Sequence, residues 1–259
     1  MSGADEGWHR IHVSALGATV AIEVPDERLL DPLLHAWEAC LTGADPDAPV
    51  VVAPSLSGDG LADAATSLLS GLTQQVTYAA IGTRAGELLM FHAGGLSHQT
   101  TGATIAFVAP GGTGKTTLVR TLGPGRGYVS DETVGVAADG SIEPYCKPLS
   151  VRRPEPGEPK DEISPLALGL DVPAVAPWLA GMVMLRRDLP PGRELTVEEV
   201  DPLDALVELG PETSSLAAVD RPLHALSGLL AAVGGLRRVR YHDAVQLQPV
   251  VHEVLERTR

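Results

Sequence analysis

Residues 103–122 read ATIAFVAPGGTGKTTLVRTL, and the fold turns on how this stretch divides. Ala103 to Val108 is a strongly apolar run of strand length, and Lys115 to Leu122 reads as an amphipathic helix. Between them, residues 109–117, APGGTGKTT, fall at the strand-to-helix junction that a phosphate-binding loop requires. Gly111, Gly112 and Gly114 leave room for backbone N–H groups to approach a phosphate chain. Those groups act together with the positive end of the following helix. Thr113 and Thr117 complete the cradle, Lys115 reaches toward β- and γ-phosphates, and the Thr116 hydroxyl is a ligand for Mg²⁺. The usual first glycine is replaced by Ala109, the smallest available change.

Outward from the loop, the chain reads as a mixed α/β protein. Ile11, Val13 and Val20, Ile22, Val24 alternate about Gly17 as two strands. From Asp26 to Leu41, the residues Leu29, Leu30, Leu33, Leu34, Trp37 and Leu41 recur at helical spacing. Val50 to Ala53 is a short apolar run, SLSGDG a loop, and Leu61 to Ile81 a long helix. Leu88 to His92 and Ala103 to Val108 are neighbouring strands about the turn SHQTTG. Past the loop helix comes a short strand ending at Ser130, then a hairpin about Asp139-Gly140. Arg153 to Ile163 is polar and proline-rich, the signature of a mobile loop. The closing pattern is a strand at 182–185, helices at 202–209 and 223–233, a strand at 238–241 and a helix at 245–255. This divides the chain into a small N-terminal α/β module, 1–84, and a larger α/β domain, 85–259, that carries the loop.

Composition narrows the class further. A chain of 259 residues with 44% apolar and 20% charged residues is long enough for a sizeable core. The formal net charge of −14 opposes broad nucleic-acid or anionic-membrane surfaces, since both partners are polyanions. The start MSGADEGWHR lacks the basic and apolar pattern of a secretory signal, and no run of about 18 apolar residues occurs, so a cytoplasmic protein is expected. Cys40 and Cys146 have no CxxC partner or nearby histidine pair, and are read as buried thiols rather than zinc ligands.

Two further positions acquire meaning beside the loop. Asp131 and Glu132 follow the strand after the loop helix, where a carboxylate faces the phosphates to hold metal or take a proton. His92 ends an apolar run 23 residues before Lys115, so adjacent strands can bring both to one end of the sheet. His98, in the intervening turn, is its solvent-exposed rival. On their own a surface Asp-Glu turn and a histidine at a strand end are ordinary structural features.

FHAGG, ATIAFVAPGGTGKTTL, GYVSDETV and PYCKPLSVR, in this order and spacing, resemble the HPr kinase/phosphorylase family and its shorter relatives. The resemblance is clear over residues 88–152. It implies the P-loop kinase core of the HPr kinase and phosphoenolpyruvate carboxykinase type, with ATP and Mg²⁺ as cofactors. It also implies that His92 is the active-site histidine, that Lys115 and Thr116 hold phosphates and Mg²⁺, that Asp131 is the acid/base carboxylate and that Glu132 is a second acidic, metal-side position. Glu132 stands where bacterial HPr kinases carry aspartate, and their downstream substrate-contacting signature is absent, so HPr itself is not the expected acceptor. Arg152, Arg153, Arg186 and Arg187 are the candidates for a transition-state cation. Some short relatives phosphorylate a serine hydroxyl in a peptide, lasso-peptide tailoring kinases among them.

The expected activity is transfer of the ATP γ-phosphoryl group to a hydroxyl-bearing acceptor, a peptide, protein or small molecule, with Asp131, His92 and Lys115 as catalytic groups. The alternatives are a nucleotide-binding regulatory protein, an NTPase with water as acceptor, and the phosphorylase direction. HPr kinases are hexamers, which leaves homo-oligomerisation open here.

Overall fold

A computed structural model describes residues 8–53, 61–153 and 160–259. The SLSGDG loop and residues 154–159 of the proline-rich stretch lie outside the described residues. In chain order the elements begin with β1 (His9–Ala15), β2 (Ala18–Val24), α1 (Leu30–Trp37), β3 (Val50–Val52) and α2 (Leu61–Thr83). Then come β4 (Leu89–Ser97), β5 (Ala103–Val108), α3 (Lys115–Leu122), β6 (Gly127–Ser130), β7 (Thr133–Val136) and β8 (Ile142–Glu143). β9 (Leu149–Val151), β10 (Asp161–Ile163), β11 (Trp178–Arg186) and β12 (Thr196–Glu199) follow. The last are α4 (Pro202–Leu209), β13 (Thr213–Ser214), α5 (Pro222–Ala232), β14 (Leu236–Arg240) and α6 (Gln248–Leu255). The protein is mixed α/β, as its alternating periodicities require.

The chain divides into two compact units, one of Met1–Thr83 with Cys146–Leu168, the other of Arg84–Tyr145 with Gly169–Arg259. The first unit thus takes in Cys146–Leu168 from within the stretch 85–259 that the sequence reading treats as one domain. Specific polar contacts hold it there: Thr73 Oγ1 donates to Glu162 Oε2 at 3.0 Å, and Ser164 Oγ to Glu38 Oε1 at 2.5 Å. In this unit β1 pairs antiparallel with β2 about Gly17, whose φ of +75° closes the turn without a Cβ clash, and β2 pairs parallel with β3. The helix expected from Asp26 to Leu41 is shorter, with single 3₁₀ turns at 27–29 and 38–40 flanking α1. Leu29, Leu33 and Trp37 are buried, whereas Leu41 is exposed. The expected mobile loop at 153–163 contains β10, which pairs antiparallel with β9.

The second unit is built on a sheet whose described strands run β12-β14-β11-β5-β4-β7-β8, with β6 and β13 also pairing on β4. β5, β11 and β14 are parallel, and β4 is antiparallel to β5. Every residue of β5 is buried, which explains its uninterrupted apolar run. Gly181 in β11 lets α6 approach closely, since a Cβ there would stand 2.8 Å from Val254 Cγ1. β12 was not legible in the sequence: all four of its residues are exposed, so Thr196–Glu199 shows no alternation.

Candidate functional site

The site forms where β5 ends. The register pairs Ala93 of β4 with Val108 of β5, so His92 comes beside the first loop residue, and Ala109 N–H points to the His92 carbonyl at 3.4 Å. The loop then turns on Gly112 and Gly114, with φ of +81° and +102°, values that favour glycine. Thr113 closes the turn by donating its hydroxyl to the Pro110 carbonyl at 2.8 Å. Gly114, which has no side chain, caps α3 without a side-chain hydrogen bond. A glycine turn ending in a helix N-terminus is a geometry in which backbone N–H groups can meet an anion. Gly94 in β4 lets α3 sit close, because a Cβ there would lie 2.9 Å from Val119 Cγ2.

Lys115, buried at the start of α3, folds its ammonium back onto the carbonyls of Ala109 at 2.5 Å and Pro110 at 3.3 Å. Burial lowers its pKa to about 8, while the nearby charges of Glu212, Asp131 and Glu132 act in the opposite sense. Thr116 points to the next strand turn, where its hydroxyl donates to Asp131 Oδ2 at 2.6 Å. The other oxygen of Asp131 accepts from the Tyr128 hydroxyl at 3.1 Å, and Asp131 is buried. The SDE turn itself is fixed by Ser130, whose Oγ accepts from the N–H groups of Glu132 and Thr133. Thr116 and Asp131 thus present two oxygen donors side by side at the mouth of the loop. No group of three or more His, Cys, Asp or Glu among the described residues could hold a metal alone. A pair of oxygens nevertheless suits Mg²⁺, which takes one or two protein ligands and completes its shell with phosphates and water.

His92, Lys115 and Asp131, together with loop residues 111–117, are gathered at one end of the sheet. Glu132 stands near enough for its charge to act on Lys115. His92 is half-buried, its Cε1 3.9 Å from the place a Gly111 Cβ would take. His98 instead serves the β4–β5 turn, its Nδ1 accepting from the N–H groups of Thr100 and Thr101 at 3.3 Å. Of the four arginines, Arg187 reaches the loop: a Gly114 Cβ would stand 3.5 Å from its Nη1. Its Nε donates to the His242 carbonyl at 2.9 Å, and it has no carboxylate partner among the described residues. Arg186 is paired with Glu208, and Arg152 and Arg153 belong to the other unit.

Three residues at the site were not picked out in the sequence. Glu212, in the turn between α4 and β13, accepts or shares a hydrogen bond with His92 Nδ1 at 3.1 Å. A carboxylate in a Gly-Pro turn, 120 residues from its partner, has no spacing that reveals it. Tyr128 could have been found by asking where a strand tyrosine sends its hydroxyl. Tyr241, just past β14, is 1% exposed, and its hydroxyl is buried with no hydrogen-bond partner among the described residues. It lines a cavity of about 310 Å³ with Gly114, Thr117, Thr121, Arg187 and Asp243. A second cavity of about 250 Å³ is lined by Pro110, Gly112, Thr113, Arg187 and Asp188.

The chain matches no protein-family model and no curated protein. No helix among the described residues is long and apolar enough to cross a membrane.

Proposed function

We propose that the second unit is a P-loop kinase core of the HPr kinase type and that the protein transfers the γ-phosphoryl group of Mg·ATP to a hydroxyl, with serine of a peptide or protein the leading acceptor. The observation that carries this reading is the 2.6 Å hydrogen bond between Thr116 and Asp131 at the mouth of the glycine loop. It joins the two groups that a magnesium-bound phosphate chain needs, from elements 15 residues apart.

In this reading loop N–H groups hold the β- and γ-phosphates, and Lys115 leaves the Ala109 and Pro110 carbonyls to meet them. Thr116 and Asp131 are the residues that would hold Mg²⁺, with Glu132 as a further acidic group nearby, and when bound it would supply charge neutralisation to the phosphate chain. Arg187 is the cation best situated to balance charge as the transferred group separates. The nucleoside end would lie in the cavity beside Gly114 and Thr117, where the Tyr241 hydroxyl, without a partner among the described residues, would gain one. His92, whose Cε1 lies 3.9 Å from the place a Gly111 Cβ would take, is the side chain at which the acceptor hydroxyl would enter in this reading.

The test is incubation with γ-labelled ATP and Mg²⁺, with and without free serine and serine-bearing peptides. Label on an acceptor is the expected result. Label released only as phosphate supports an NTPase, and no turnover with retained nucleotide binding supports a regulatory nucleotide-binding protein.

A further inference from the structure

The second unit contains a cavity of about 690 Å³ that shares no lining residue with the two cavities beside the glycine loop. Its inner wall is apolar, formed by the buried residues Leu89 of β4, Val136 of β7, Leu179 of β11 and Leu229 of α5. That volume is typical of a site for a small organic molecule. From α5 the cavity meets Ala225, Gly228 and Ala232, small residues at helical spacing. Gly228 lies in the helix interior, where glycine is less stable than alanine, yet a Cβ on it would meet no atom within 4 Å. Packing among the described residues does not call for glycine there, and its missing side chain keeps the cavity open. On the solvent side the lining residues carry three carboxylates, Glu87, Asp139 and Asp220, against the guanidinium of Arg259 and the imidazole of His224. Arg259 lies 3.8 Å from Asp139, Arg84 2.8 Å from Glu87 and Arg221 3.5 Å from Asp220. All three carboxylates are largely exposed, and exposed pairs of this kind are weak enough to yield to a competing cation. Trp178 also lines the cavity. Its indole N–H is already donated to the Thr101 carbonyl at 3.0 Å, which leaves the ring as the surface it offers a ligand.

We propose that this cavity binds a small amphipathic cation, an ammonium group on an apolar body. The body lies against Leu179, Leu229 and the open face at Gly228, and the head sits among Glu87, Asp139, Asp220 and the Trp178 ring. The apolar wall selects the body by the hydrophobic effect, and the carboxylates and the ring select a positive head. An anionic head would meet three carboxylates against one guanidinium, and a neutral molecule would leave both the carboxylates and the ring unused. The proposal does not depend on the kinase reading, because no residue assigned to nucleotide or acceptor lines this cavity.

The experiment titrates the whole protein, without nucleotide, with octyltrimethylammonium, octanol and octanoate below their micelle concentrations, by calorimetry and by amide hydrogen exchange. Wild type is compared with G228L, which fills the cavity, and with E87Q/D220N, which removes two exposed charges. Expected is binding of the ammonium about tenfold tighter than of octanoate, with exchange slowed at 136–140 and 225–233. G228L should weaken the ammonium about tenfold without lowering Tm, and E87Q/D220N should reduce the preference for the cation about threefold while leaving octanol binding unchanged. Equal affinity for the three head groups would overturn the assignment of a cation. Wild-type protection by the ammonium outside those segments would overturn the site, whether or not G228L folds, as would a folded G228L that binds as wild type does. A wild-type dimer in sedimentation that G228L disperses would show that a second copy fills the cavity, and would overturn the proposal as well.

Discussion

At the residue scale the site is defined by polar groups whose partners are either unusually close or missing. Tyr241 is the clearest instance of a missing partner among the described residues. A buried hydroxyl without one costs about 1–3 kcal/mol, so Tyr241→Phe should leave the free protein as stable or slightly more stable. If the adjoining cavity takes the nucleoside, the same change should raise KM for ATP several-fold, and thermal melting with and without nucleotide reads both effects. Lys115→Ala removes the ammonium beside the loop and should abolish nucleotide binding by calorimetry, whereas a role confined to bonding the Ala109 and Pro110 carbonyls would leave binding intact. Much at this scale was readable in the sequence, because the loop's glycines, lysine and threonine are consecutive and their spacing is itself the geometry. Glu212 and Tyr241 were not readable, since a contact across 120 residues and a hydroxyl lining a cavity depend on where strands lie in the sheet.

At the element scale, α3 and α4 begin and end where their sequence signals fall, because each boundary has a local cause. Asp201 caps α4 by accepting from Leu203 N–H at 2.9 Å, with Pro202 at the first helical position. β12 and β13 lacked such causes, one being an exposed edge and the other two residues long. The turn joining β4 to β5 sets His92 against the loop by fixing their register, and it depends on Gly102. That residue has φ +73°, and a Cβ on it would lie 2.3 Å from the Ala176 carbonyl oxygen. Gly102→Ala should therefore cost about 1–3 kcal/mol, lowering Tm and, through the shifted register, turnover. Unchanged Tm would show that the turn relaxes freely. In the first unit Cys40 and Cys146 are buried free thiols. Burial pushes the Cys146 thiol up to about 12 and raises that of Cys40 well above its ordinary value. The thiolate is the reactive form, so at pH 8 both should resist iodoacetamide in the native protein and react fully in denaturant, as followed by mass spectrometry.

At the scale of the whole molecule, the groups assigned to nucleotide and proton transfer all belong to the second unit, although the chain visits the first unit twice. With a formal net charge of −14, a polyanionic ligand would be held where cations and backbone N–H groups converge, as proposed at Gly111–Thr117 with Lys115 and Arg187. A ligand that binds only the folded state stabilises it by RT ln(1 + [L]/Kd), about 2.7 kcal/mol at a hundredfold excess over Kd. Mg·ATP should therefore slow amide hydrogen exchange at 109–117, at the turn 130–133 and around Tyr241, while β1, β2 and β3 exchange as before. The pattern separates two accounts of the −14 charge. Protection confined to those segments means that the anion is met by the loop's own donors. Protection absent there, or spread evenly over both units, would mean that nucleotide acts elsewhere or only as a general anion, and the assignment of the glycine loop to phosphate would fail with it.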